Sequence, residues 1–174
     1  MRKNIILDKI TELEPDAIEL MKQLISINSI GPKNDGPGEA EKAKFLEAYL
    51  TDCRFPEVKN YPAPDPAVAG RERPNLVSVI EGSNKNQTLW IIAHTDVVPE
   101  GDLSKWDTDP FQAVEKDGKI FGRGSEDNQQ GLVSSVIMAR ASRAQTNPDE
   151  SAPTQMLGPI SRVGSAGKAS SSRT

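Results

Sequence analysis

The stretch that most restricts the fold is Thr88-Leu89-Trp90-Ile91-Ile92-Ala93. A largely continuous apolar run is expected of a strand covered on both faces, since a half-exposed strand would alternate. Asn75-Leu76-Val77-Ser78-Val79-Ile80 reads as a second strand, and Val58 to Tyr61 as a short exposed one. The prolines of Pro62-Ala63-Pro64-Asp65-Pro66 lack ladder donors, which makes that stretch a loop. Val114-Glu115-Lys116 and Lys119-Ile120-Phe121 flank Asp117-Gly118, a strong hairpin turn signal. Helical spacing of apolar residues marks 5–27, as one helix broken at Pro15 or as two. Further helices are expected from Glu39 to Asp52 and from Gln130 to Arg140. Helices alternating with buried strands predict an α/β fold with a central sheet.

A length of 174 residues suits one domain. The net charge of -4 and isoelectric point near 5.1 give no basic footprint, so no nucleic-acid partner is expected. Cys53 is the sole cysteine, which rules out an internal disulfide, and it is read as a packing residue. No apolar run approaches the ~20 residues of a membrane span, and the expected location is cytoplasmic. From 141 to 174 the chain turns rich in Ser, Ala, Gly, Pro, Thr and Arg, with few large apolar residues. That segment is expected to be a disordered tail to a domain spanning 1–140.

Chemistry concentrates in two clusters. The apolar run leads into His94-Thr95-Asp96-Val97-Val98-Pro99. Imidazole is a standard zinc ligand, and a carboxylate beside it can fix its orientation and basicity. Alone, this pattern is weak evidence for a metal, and a hydrogen-bonded loop histidine beside a capping Asp is the preferred reading. The second cluster, Gly122-Arg123-Gly124-Ser125-Glu126-Asp127-Asn128-Gln129-Gln130-Gly131, joins the hairpin to a helix. Ser125, Asp127 or Asn128 can serve as an N-cap there, and a carboxylate can also bridge two metal ions.

Taken together, with Gly101-Asp102, Trp106, Asp109-Pro110-Phe111 and Asp117-Gly118-Lys119-Ile120-Phe121 between them, the clusters resemble a zinc-dependent amidase and exopeptidase family. It contains acetylornithine deacetylase, succinyl-diaminopimelate desuccinylase, aminoacylase and several dipeptidases, and the resemblance covers roughly residues 8–140. It implies the N-terminal part of a three-layer α/β/α catalytic domain with a central mixed sheet, here incomplete. It implies that His94 and Asp127 are metal ligands, Asp127 bridging two zinc ions (cobalt as an alternative), and that Asp96 orients His94. Trp106, Asp109 and Phe111 are expected to shape and pack the loop, and Arg123 to make structural hydrogen bonds or ion pairs. The implied reaction hydrolyses the amide bond of a small amino-acid derivative or dipeptide, with a glutamate as general base.

The family's Glu-Glu pair, which supplies that base, is absent from this sequence, and His94 is its single histidine. The inserted domain through which members often form homodimers is also missing. The expectation is therefore a truncated and inactive hydrolase, through a shifted reading frame or as a natural short form. A non-catalytic interaction or weak ligand-binding module derived from the family is the alternative.

Overall fold

The computed structural model describes residues 2–82, 84–143 and 154–157. Two helices open the chain, α1 (Arg2–Glu12) and α2 (Glu14–Ser26). Pro15 sits in the first turn of α2, where its missing N–H would have had no helical acceptor. The expected helix over 5–27 is thus two. Leu20 and Leu24 of α2 are fully buried, and α3 (Ala40–Asp52) adds Leu46 and Leu50 to the same core.

β1 (Val58–Asn60) runs antiparallel to β4 (Leu76–Ile80). Between them, β2 (Ala63–Pro64) and β3 (Glu72–Arg73) pair as a ribbon two residues long. The stretch expected to be loop therefore holds a short strand. Pro64 is tolerated because the ribbon stands outside the main sheet, where a missing donor leaves no gap in the ladder. β5 (Leu89–Ile92) follows, and then the hairpin of β6 (Val114–Lys116) and β7 (Lys119–Phe121). Asp117 and Gly118 turn it with φ of 53° and 71°, the paired left-handed geometry that matches strand twist.

α4 (Gln130–Arg143) runs past the expected end at Arg140, and its Ala141 is fully buried. β8 (Thr154–Leu157) then enters the sheet, whose order is β1-β4-β8-β5. It is antiparallel to β4 and parallel to β5, with Gln155 opposite both Val79 and Trp90. Within the segment expected to be a disordered tail, α4 extends to Arg143 and Thr154–Leu157 forms an inner strand. A strand with a ladder on each side draws on backbone hydrogen bonds, which composition does not register. Residues 144–153 and 158–174 lie outside the described residues.

The sheet is mixed, as expected. β5, however, is its edge, and among the described residues no strand pairs beyond it. Leu89, Trp90 and Ile92 are 55%, 51% and 55% exposed, so the apolar run is not covered on both faces. Apolar texture reports the surface available for burial, and its covering depends on which elements reach it. The core lies where α2, α3 and α4 meet β4, with Leu76, Leu132 and Val136 buried and Ile6 and Ile10 of α1 packed against it.

Candidate metal centre

β5 ends one residue before the buried Ala93, and His94 emerges at the carboxyl end of the strand, the usual place for ligands in open α/β sheets. The loop that carries it is pinned to the end of α2. Val97 N–H donates to the Ser29 carbonyl at 3.1 Å, and the Ser29 hydroxyl donates to the Thr95 carbonyl at 2.7 Å. Both Ser29 and Thr95 are fully buried, so the backbone on either side of His94 has little freedom.

The second cluster arrives from the hairpin. Gly124 has φ 86°, and a Cβ there would stand 2.7 Å from Val97 Cγ1. Only glycine permits both the left-handed turn and this approach to the histidine loop. An irregular turn, Ser125–Gln129, leads into α4. Within it Asp127 and Asn128 leave helical geometry, with φ of -130° and -139°, and the peptide bond joining them is cis. The turn projects Asp127 outward, its side chain 64% exposed, towards His94.

His94 Nδ1 lies 3.0 Å from the Asp96 carbonyl and 3.0 Å from Asp96 Oδ1. Flanked by two oxygens, Nδ1 carries the hydrogen, and in neutral imidazole Nε2 is left with a lone pair. That lone pair faces Asp127 Oδ1 at 3.1 Å. Two acceptors at this separation repel unless a cation lies between them. A proton is one such cation: hydrogen bonding to the Asp96 carboxylate, opposed by burial, raises the His94 pKa above its ordinary value, and Asp127 adds to the rise. A metal ion is another.

The donor set fits a divalent metal in part. Zinc–nitrogen and zinc–oxygen bonds of about 2.1 Å at a tetrahedral angle put two ligand atoms about 3.4 Å apart, close to the separation found. A nitrogen and a carboxylate oxygen are suitable donors, and Asp96 provides the outer partner that ligating histidines usually have. Two donors are fewer than a closed site requires. Among the described residues no group of three or more His, Cys, Asp or Glu is gathered to hold an ion.

Behind Asp96 lies a group of charges that sequence reasoning missed. Glu39 and Arg73 have side chains 0% and 5% exposed and form a two-pronged pair, with Arg73 Nε donating to Glu39 Oε2 at 3.1 Å. Arg73 Nη2 lies 3.9 Å from Asp96 Oδ2. Lys42 is 1% exposed. Burial pushes its pKa down to about 7, and the Asp96 charge partly opposes that fall. A signal was present in the sequence. Glu39 and Lys42 fall on the stripe continued by Ala43, Leu46 and Leu50, so charged residues occupied positions due to be buried.

Other expected residues form the surroundings. Trp106 Nε1 and Arg123 Nη2 both donate to the Glu100 carbonyl at 3.0 Å, and the Arg123 guanidinium lies 5.1 Å from the Trp106 ring centroid. Asp109 Oδ1 accepts from Phe111 N–H at 2.8 Å, a local loop clasp. Cys53 packs against the core cluster as a free thiol.

A histidine and a carboxylate thus converge at the carboxyl end of a strand in an α/β chain, where ligands of such sheets collect. Residues 90–152 match the model of peptidase family M20/M25/M40, and the chain belongs to that family as an N-terminal portion of its catalytic domain. An uncharacterized metallohydrolase of Methanocaldococcus jannaschii is 44% identical over 133 residues, covering 74% of this chain and 32% of the relative. A succinyl-diaminopimelate desuccinylase of Buchnera aphidicola is 32% identical over 129 residues, covering 73% and 29%. A dipeptidase of Saccharomyces cerevisiae has the same fold, with a TM-score of 0.71 at 22% identity over 90% of this chain and 34% of its own. The chain thus spans about a third of the length of these relatives.

Proposed function

We propose that this chain provides the His94–Asp127 portion of a zinc site that hydrolyses amide bonds in small amino-acid derivatives or dipeptides. The approach of His94 Nε2 to Asp127 Oδ1 at 3.1 Å carries the reading, because with Nδ1 protonated both atoms are acceptors that a cation would satisfy together. Asp96 holds the Nδ1 hydrogen and so keeps Nε2 free to ligate. The Ser29 contacts fix the loop, and the glycine turn at 124 brings Asp127 to it. Asp127 has a second oxygen, which lets a single carboxylate serve two ions. When bound, the metal polarises the amide carbonyl and lowers the pKa of water.

Hydrolysis also needs a base and further donors. The sequence has one histidine and no Glu-Glu pair, and Glu126, next to Asp127, is exposed and is given no role. By itself this chain is therefore expected to bind zinc more weakly than a complete site, and to hydrolyse N-acyl amino acids and dipeptides slowly if at all. Zinc affinity, measured by competition with a chromophoric chelator, tests the assignment. His94→Gln and Asp127→Asn should each weaken binding at least about tenfold. Wild-type affinity in both variants would refute the site.

A further inference from the structure

A cavity of about 580 Å³ opens directly beside Asp127, within the range of about 300–1,000 Å³ typical of small-molecule sites. Its apolar wall is formed by Val98, Trp106, Val114 and Phe121. Val98 and Phe121 are 47% and 48% exposed although both are large and apolar. Trp106 is fixed in place by its Nε1 hydrogen bond to Glu100 and by the Arg123 guanidinium against its ring. The hairpin β6–β7 supplies Val114 and Phe121, which face each other across the ladder. Two of the four wall residues thus stand on a paired hairpin, and a third is held by two contacts.

Charge narrows the ligand class. Lys105 and Lys116 line the cavity together with Asp107 and Glu126. None of the four makes an ion pair among the described residues. With Arg123 and Asp127, which also line it, the cavity has three charges of each sign and no net attraction for an anion or a cation, while the apolar wall favours a group that sheds water. A ligand held there would have its neighbouring amide beside Asp127.

From this the geometry points to a subsite for an aromatic side chain: the cavity takes the amide of an amino acid bearing a neutral aromatic group, with that group against Trp106 and Phe121. This rests on the proposed hydrolase reading, whose metal site would act on the adjoining amide, yet the two can be tested apart. The chain contains two tryptophans, so Trp90→Phe leaves Trp106 as the only indole to report on the cavity.

Titration of that protein with N-acetylphenylalaninamide should give a saturable change in Trp106 emission, in zinc and equally in EDTA. N-acetylaspartic acid α-amide, with the same acyl group and carboxamide but a charged side chain, should bind at least about tenfold more weakly. Phe121→Ala and, separately, Val98→Glu should each weaken the phenylalanine ligand at least about tenfold. Both positions are half-exposed, so neither change removes core packing, and circular dichroism checks the fold. An absent response to N-acetylphenylalaninamide overturns the subsite, as does equal binding of the aspartate compound or unchanged affinity in both variants. Zinc uptake is read separately with the chelator. A Trp106 response without zinc binding keeps the subsite and removes the metal reading, and the converse removes the subsite alone.

Discussion

Replacing Lys42 by methionine tests the charge buried behind the histidine. Lys42 is 1% exposed, and burial lowers its pKa from 10.5 to about 7. Below about pH 7 both the native and the unfolded chain carry the ammonium, and the native state bears the whole desolvation penalty. Above 10.5 the amine is neutral in both states and the penalty has gone. Between those values the unfolded chain binds more protons, so wild-type stability should rise with pH relative to Lys42→Met, by about 1.4 kcal/mol per pH unit. Over the whole interval the change amounts to about 5 kcal/mol. Urea unfolding of both proteins at pH 6, 7.5 and 9, followed by tryptophan fluorescence, measures it. The methionine variant is expected to be the more stable at pH 6, with its advantage about 3 kcal/mol smaller at pH 9, or about 1 M or more in relative midpoint. The raised pKa of His94 acts in the opposite sense, giving stability below its unfolded value that is lost as pH rises through the folded one. It is common to both proteins and cancels in the comparison. A difference that is independent of pH, or that widens with pH, would refute the burial of a charged ammonium.

Other perturbations test neighbouring contacts. Arg73→Met leaves Glu39 buried without its partner and should cost about 3–5 kcal/mol in thermal or chemical unfolding. Asp96→Asn removes the carboxylate that orients His94 and should lower zinc affinity about 10–100-fold while leaving the unfolding midpoint less affected. Zinc affinity should also fall about tenfold per pH unit below the raised His94 pKa, because metal and proton compete for Nε2. Gly124→Ala imposes a left-handed φ on a residue with a Cβ and drives that Cβ onto Val97, and should cost at least about 1–2 kcal/mol by the same unfolding measurement.

Local pattern made much of this architecture legible. Pro15 divided α1 from α2, Asp117-Gly118 marked the hairpin, and the spacing of Leu46 and Leu50 gave the buried face of α3. Both chemical clusters were visible for the same reason, since each is contiguous in sequence. Their meeting was implied by the family resemblance and not by local pattern, because it depends on the Ser29 contacts and the approach of Gly124 to Val97. The buried charges were hidden differently. Glu39, Lys42 and Arg73 are polar by type, and only the tertiary packing brings Arg73 from β3 to Glu39 beside α3. The strand Thr154–Leu157 was missed because it lies in sequence poor in large apolar residues and draws on ladders at both of its edges.

The position of that strand also orders events during synthesis. β4 and β5 are close in sequence yet do not pair, because the strand between them comes from Thr154–Leu157. A ribosome adding about 5–20 residues per second needs several seconds to make the residues separating Ile92 from Thr154. Throughout that time the inner edges of both strands lack their permanent neighbour, while Trp90 and Ile92 are already in the nascent chain. Productive folding then becomes a race between elongation and capture of those edges by another strand. Slow translation or crowded polysomes should favour capture, and a chaperone holding the edges should favour closure.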